Sequence, residues 1–300
     1  MFIVKNRIIF YIFSILLIVA SVVGLSIWGL QLGIDFKGGS LMEVSYTGVR
    51  PDQKVLETVL DTQNLGEYSL RPTGEAGFIL KTRTITEPER VSLVDTLSEK
   101  GKDQITVKRF NSIGPLLGAE AARKSLIAIV LVILFIVLFI TFAFRKVSQP
   151  VASWKYGLIA VLALAHDVII PTGVFAFLGH FAGYEVDTLF VTAILVVLGF
   201  SIHDTIVVFD RVRENLTISN SNRDKKPFSQ IVGESINQTF VRSINTSLTT
   251  ILALVVLYFV GAEATRHFSL TLIIGIITGT YSSIFLGSTL LVTVEKMQKR

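Results

Sequence analysis

The stretch Leu195–Asn215, LVVLGFSIHDTIVVFDRVREN, decides how this chain is read. With the residues from Thr188 onward it forms an apolar run of membrane-crossing length, yet it carries a histidine and an aspartate inside that run. A carboxylate such as Asp204 is costly in hydrocarbon, so it requires a partner, a water path or a task.

The rest of the chain has the same character. Of its 300 residues 51% are hydrophobic, more than a soluble protein of this size would hide. Apolar runs of about 20 residues, the length needed for a bilayer core of roughly 30 Å, predict six spans: Ile8–Leu30, Ser125–Phe144, Tyr156–Leu178, Thr188–Phe209, Val241–Val260 and Phe268–Val294. The first is longer than a signal-peptide core and lacks an A-x-A cleavage site, so it is expected to remain as an anchor. Basic residues gather in alternate connections: Lys5 and Arg7; Arg145, Lys146 and Lys155; Arg211, Arg213, Arg223, Lys225 and Lys226; then Lys296, Lys299 and Arg300. The other short connections hold His180, Glu185 and Asp187, then Glu263, Arg266 and His267. By the positive-inside rule both termini are cytoplasmic and the polar segment after the first span lies outside. The net charge of +5 is this topology signal rather than a nucleic-acid patch, and the absence of cysteine excludes disulfides and thiolate metal sites.

The expected division is a first transmembrane helix over 1–30, an external domain over 31–122 and a five-helix domain over 123–300, with a cytoplasmic loop at about 211–240. Within the external part, Ser40–Tyr46, Tyr68–Arg71, Phe78–Thr82 and Gln104–Phe110 read as strands. Pro51–Gln63 reads as a helix with Val55, Leu56, Val59 and Leu60 at helical spacing. Thr86-Glu87-Pro88-Glu89 is a capping box that opens a second helix, with Val91, Val94 and Leu97 on one face and Gly101 as its stop. The order β-α-β-β-α-β predicts an α+β ferredoxin-like domain. It holds no phosphate loop, metal spacing or paired carboxylates, and reads as a binding or docking module.

Several polar groups lie within the spans. Asp204 is roughly 9–10 Å below the surface marked by Arg211, from about 1.5 Å of rise per residue. Ser201, Asp204, Thr205 and Val208 share one helix face. On the next span Arg242, Asn245, Thr246, Thr249 and Ala253 form a polar stripe, and the opposite charges predict that Arg242 and Asp204 meet inside the bundle. Two other readings stand beside this one: Arg242 as a snorkelling helix anchor, and the charge pair as a static fixture of helix register. His203 is either a packing group or a further titrating one. His166-Asp167 lies near mid-bilayer, where a static hydrogen bond to a neighbouring helix and proton handling are equally open. Gly275, Gly279, Ser283 and Gly287 recur every four residues, a small-residue stripe for close helix packing within the chain or with a partner.

Three motifs resemble the bacterial SecF family, accessory membrane subunits of the Sec protein translocase. Gly33-Ile34-Asp35-Phe36-Lys37-Gly38-Gly39 is similar to its G-I-D-F-x-G-G signature. Ser112-Ile113-Gly114-Pro115…Gly118 is similar to the lead-in to its second span, and Ser201–Asn215 to its fourth-span motif. With the one-plus-five layout, the resemblance covers nearly the whole chain. It implies an α-helical membrane protein with six transmembrane helices, an RND-like half, plus the external ferredoxin-like domain. It implies a SecD-like partner subunit, the Sec translocation channel, exported unfolded polypeptide and membrane lipid as partners, with no nucleic acid, and location in the bacterial cytoplasmic membrane. It also implies use of the proton motive force, with Asp204 and Arg242 as the proton relay and a further aspartate supplied by SecD. Where the family often has Asn, this chain has His203. Ser201, Thr246, His166 and Asp167 are accessory polar candidates. Gly33, Gly38 and Gly39 are either a hinge or a tight packed turn, with Asp35 as a local turn cap.

A self-contained RND-like exporter of small molecules or lipids is the alternative, and would have to homodimerise. An enzyme is not expected. Asp167 and Asp204 could supply the two carboxylates of an intramembrane aspartyl protease, but neither sits in a Gly-x-Gly-Asp frame, and no H-E-x-x-H is present. No cofactor and no metal are expected.

Overall fold

The computed structural model describes residues 2–98, 104–144, 151–221 and 226–298. The expected helix stop at Gly101 and the basic positions Arg145, Lys146, Arg223, Lys225, Lys299 and Arg300 lie outside them. In chain order the elements are α1 (Phe2–Lys5), α2 (Arg7–Trp28), α3 (Ile34–Lys37), β1 (Gly39–Tyr46), α4 (Gln53–Leu60), β2 (Ser69–Thr73), β3 (Gly77–Thr82), α5 (Glu87–Leu97), β4 (Ile105–Ile113), α6 (Pro115–Ala143), α7 (Ser153–Ala182), α8 (Thr188–Ser221), α9 (Phe228–Val260) and α10 (Glu263–Tyr281). A π-helical turn at Ser282–Gly287 then joins α10 to α11 (Ser288–Gln298). Two compact units result: Met1–Gln31 with Ile127–Arg300, and Leu32–Leu126.

The second unit has the expected β-α-β-β-α-β order. Its four strands are antiparallel neighbours in the sequence β2-β3-β1-β4, the split arrangement of a ferredoxin-like sheet. Alternation along β1 sends Met42, Val44 and Tyr46 into the core, where they meet Phe78 and Leu80 of β3 and Leu56, Leu60, Leu93 and Leu97 from the two helices. The buried Tyr46 hydroxyl donates to the carbonyl of Leu97 at 2.9 Å, closing α5 over the sheet. Each helix buries a narrower stripe than its apolar count suggests. Leu56 and Leu60, one turn apart, fill the core, while Val55 and Val59 on the flank are exposed. In α5 the stripe is Leu93 and Leu97 with Val94 beside it, and Val91 faces outward.

The first unit contains six helices long and apolar enough to cross a membrane among the described residues: Arg7–Trp28, Pro115–Ala143, Trp154–Ala182, Thr188–Ser221, Phe228–Val260 and Thr265–Gln298. The first part of the second of these lies in the other unit. α7, α8 and the α10–π–α11 helix are the most enclosed, whereas α6 leaves most of its apolar surface exposed. α2 lies tightly along α7: a Cβ at Gly173 would come within 2.3 Å of the Ser21 side chain.

The segment expected as a loop at about 211–240 is mostly helix. α8 runs on to Ser221 and α9 starts at Phe228. Polar residues mark the outer faces of these extensions, among them the Arg211–Glu214 pair at 2.6 Å. Val212, Leu216, Ile231, Val232 and Ile236 supply a buried stripe between them. Asn215 adds a hydrogen bond to Ser235 at 2.8 Å and Arg211 one to Gln238 at 2.6 Å. High polarity alone resembled a loop, but the helical period of these apolar residues was present within it.

The start of α5 is secured by Glu89, which accepts from the Thr86 backbone N–H at 2.7 Å and from its hydroxyl at 2.9 Å, and pairs with Arg83. The Arg83 guanidinium, followed by the Thr86 donors, holds the Glu89 carboxyl down at about 2. A depressed carboxylate stabilises the fold fully above its unfolded value and loses that contribution as pH falls through the folded one. Thr86→Ala is expected to destabilise this unit by about 1 kcal/mol, read as earlier proteolysis of residues 39–113 in urea. In the wild type, the Glu89 contribution should disappear between about pH 4.5 and about pH 2.

Candidate functional site

The membrane unit is organised around contacts between α8 and the last long helix. The small residues of the latter recur every four positions and meet α8 residues recurring at the same interval. A Cβ at Gly275 would lie 2.2 Å from Val197 Cγ2, and one at Gly279 would lie 2.9 Å from Ser201 Cβ. Ser283 donates to the Ser201 carbonyl at 3.1 Å, and its hydroxyl shares a 2.8 Å hydrogen bond with Thr205. Gly287 leaves ordinary contact room for Phe209 and Thr205. The stripe is therefore filled within the chain.

Between these helices and α7 lies a fully enclosed polar centre. Asp167 has no exposed surface and His166 is 1% exposed. The imidazole Nδ1 and Asp167 Oδ1 are 2.8 Å apart. The other carboxylate oxygen, Oδ2, accepts from the Ser201 hydroxyl at 2.5 Å and the Ser282 hydroxyl at 2.7 Å. Three helices thus converge on one carboxylate. Two irregularities frame it. Pro171 in α7 has no N–H to offer the Asp167 carbonyl one turn before it, and Ser282 opens the π-helical turn. His166 stacks on Tyr281, with ring centroids 5.9 Å apart. The Tyr281 hydroxyl donates to the Phe10 carbonyl of α2 at 2.9 Å.

Asp204, one turn along α8 from Ser201, is 3% exposed, and its Oδ2 has no hydrogen-bond partner among the described residues. Ser201, Thr205 and Val208 are buried beside it, as the shared face predicts. Arg242 does not meet Asp204 in an ion pair. The two are within electrostatic reach, but no pair joins them within 4.0 Å and Arg242 is exposed. The reason is the rotation of α9. Its inward face is Thr239, Ser243 and Ser247, and Ser247 shares a 2.5 Å hydrogen bond with Thr280. The stripe of Arg242, Asn245, Thr246, Thr249 and Ala253 lies one residue round the helix and is exposed. Thr246 and Thr249 turn their hydroxyls back to the carbonyls of Arg242 and Asn245, at 2.9 and 3.0 Å. His203 is also exposed, on the side of α8 away from the buried stripe.

In the Leu32–Leu126 unit, the two glycine motifs lie against each other. Gly33 precedes the single-turn α3, which carries Asp35 in its first turn, and Gly38 follows it with φ +78°. A Cβ at Gly38 would sit 2.7 Å from Pro115 Cα, and one at Gly118 would sit 2.8 Å from the Gly38 nitrogen and 2.9 Å from the Phe36 carbonyl. Gly39, at φ +128°, lies equally close to the Thr82 carbonyl. This backbone-on-backbone crossing is a tight packed turn.

Residues 93–297 match the family model for the protein export membrane protein SecD/SecF, C-terminal, and residues 26–48 match the SecD/SecF GG motif. The chain belongs to the SecF family of protein translocase subunits. It is 43% identical to the protein translocase subunit SecF of Thermobaculum terrenum over 98% of this chain and 93% of that protein. For the SecF subunit of Anaerolinea thermophila the identity is 35%, over 99% and 95%. The crystal structure of SecDF, a translocon-associated membrane protein from Thermus thermophilus, superposes with a TM-score of 0.83 at 29% identity over 99% of this chain. This chain spans only 38% of that SecDF chain. A second SecDF structure, in the super-membrane-facing form, gives a TM-score of 0.66 at 30% identity. The six apolar helices and the SecF relatives make this a multi-pass membrane protein.

Sequence reasoning missed Ser282, Tyr281 and Pro171. The signal for the first was the Ser282-Ser283 pair inside an apolar run, and only its second member was read, as a packing residue. A larger side chain in the α8 ladder should break it. Gly275→Leu is expected to destabilise the membrane unit by roughly 1–3 kcal/mol through overpacking, and Val197→Ala in the same chain should recover part of the loss. Thermal unfolding in detergent checks both variants.

Proposed function

We propose that this SecF-family chain, paired with a SecD subunit, couples inward proton movement to a late step of protein export through the Sec translocation channel, acting on unfolded polypeptide on the outer side of the bacterial cytoplasmic membrane. In this reading both termini are cytoplasmic, on the side where the basic connections gather. In the same reading the Leu32–Leu126 unit is the external domain.

The observation that carries the proposal is Asp204: an acid enclosed in the membrane unit with a carboxylate oxygen left without a hydrogen-bond donor. A buried ionisable group that no static contact satisfies suits a task that changes its charge. The exposed stripe on α9 supports the same reading. Arg242 and Asn245 would be expensive against lipid, and a SecD subunit laid on that face removes them from it. Arg242 would then stand between Asp204 and the partner's own acidic group, and moving it toward or away from Asp204 would change that acid's proton affinity. A proton crossing about 150 mV releases roughly 3–4 kcal/mol, from about 2.3 kcal/mol per 100 mV, enough to bias a two-state rearrangement by a few hundred-fold.

Asp204→Asn is expected to abolish the proton-driven part of export while leaving SecD binding intact. Translocation into energised vesicles, with and without a protonophore, measures this; an unchanged protonophore-sensitive component would reject the role of Asp204.

A further inference from the structure

We propose that Nε2 of His166 is a second proton-binding site of the membrane unit, with Asp167 as its fixed counter-charge. The hydrogen-bond geometry suits one tautomer. Asp167 Oδ2 lies 2.5 Å from the Ser201 hydroxyl and 2.7 Å from that of Ser282, whose single proton is shared with the Gly279 carbonyl at 3.0 Å, and Oδ1 lies 2.8 Å from the imidazole Nδ1. In this proposal Asp167 is the ionised partner and accepts on both oxygens. The histidine proton therefore resides on Nδ1. That leaves Nε2 as a bare acceptor, and it is buried with no hydrogen-bond partner among the described residues.

The charge balance gives this atom its task. With Nε2 bare, the dyad carries one net negative charge at a position with no solvent exposure. A proton arriving at Nε2 forms one N–H bond and converts the dyad to an imidazolium–carboxylate pair of zero net charge, with no other bond broken. Enclosed single charges are costly and paired ones much less so. The Tyr281 ring supports the loaded form, since its face lies within about 6 Å, the range of a cation–π contact. The phenolic hydroxyl is engaged with Phe10, away from the imidazole.

Loading also changes what the carboxylate holds. When bare, Asp167 draws α8 through Ser201 and the π-helical turn through Ser282 by charge-assisted hydrogen bonds. When loaded, the imidazolium competes for the same negative charge and those two bonds weaken. Pro171 removes one backbone hydrogen bond from α7 and the π-helical turn interrupts the regular ladder of the last helix, both beside the dyad. Proton occupancy is thus tied to the junction of three helices.

The titratable neighbours are few. Tyr281 stacks on the imidazole from α10, and Asp204 lies one turn from Ser201 on α8. Tyr11 of α2 is bonded to Thr293 of α11. Arg7 lies one turn from Phe10 on α2, and His203 of α8 is exposed away from the dyad, while Lys155, Arg211, Arg266, His267, Glu295 and Lys296 lie several turns away along the surrounding helices.

The inference rests on the proton-coupled reading above, but its test reads His166 directly. The chain, labelled with 15N-histidine and assembled with its SecD partner in lipid vesicles, is examined by solid-state NMR as the bath is acidified. His166 is assigned by the signals lost in His166→Gln. The expected result is an N–H signal at Nδ1 throughout and an Nε2 signal that shifts from the bare to the N–H position. In Asp167→Asn the Nδ1 preference and the Nε2 conversion should both be lost. An Nε2 that stays bare across the range, or one that carries the proton while Nδ1 is bare, would overturn the proposal. In Asp204→Asn, a retained Nε2 shift with lost proton-driven export keeps the two sites distinct; an Nε2 shift abolished there would show that His166 is no independent site.

Discussion

The membrane unit depends on how closely α8 can approach the last long helix. Lipid tails are as apolar as leucine, so hydrophobicity alone does not drive helices together within a bilayer. Close contact must come from shape and hydrogen bonding, and the ladder of Gly275, Gly279, Ser283 and Gly287 against Val197, Ser201, Thr205 and Phe209 supplies both. The approach at Gly279 brings the Ser201 backbone near enough for Ser283 to reach its carbonyl. It also leaves the Ser201 hydroxyl and Ser282 free to converge on Asp167 from two helices. Polar chemistry in the unit is thus a consequence of small residues, since bulkier ones would hold α8 too far away for three donors to share one carboxylate.

The two aspartates illustrate two solutions to the same electrostatic difficulty. Asp167 is compensated locally, by an imidazole and two hydroxyls. Asp204 is not: one of its oxygens has no donor, and the nearest cationic chain on α9 looks outward. A carboxylate bonded to residues of two other helices suits a site that ties them together. Incomplete satisfaction suits a site finished by another subunit.

Much of this was legible in the residues. Apolar runs of about 20 residues placed every span, and alternation with turn residues placed the four strands of the Leu32–Leu126 unit in their correct order. The buried face of α8 followed from the spacing of Ser201, Asp204, Thr205 and Val208. The orientation of α9 did not. The stripe that turns inward, Thr239-Ser243-Ser247, is also polar and lies one residue round from Arg242-Asn245-Thr246-Thr249. Spacing alone cannot choose between them, and charge complementarity favoured the wrong one. The choice is made by Thr280, which offers Ser247 a hydrogen-bonding partner from a residue far away in the chain. The helical extensions at 211–240 were misread for a related reason: their outer faces are charged enough to mask a regular apolar stripe within.

The crossing of the two glycine motifs has a geometric consequence. The chain enters the Leu32–Leu126 unit beside Gly39 and leaves it beside Ile113, and these two residues are cross-strand partners on β1 and β4. Gly38 and Gly118 bind the incoming and outgoing backbones together just outside that pair. Both connections therefore leave the unit at one end of the same strand pair, and a Cβ at Gly38 or Gly118 would force them apart.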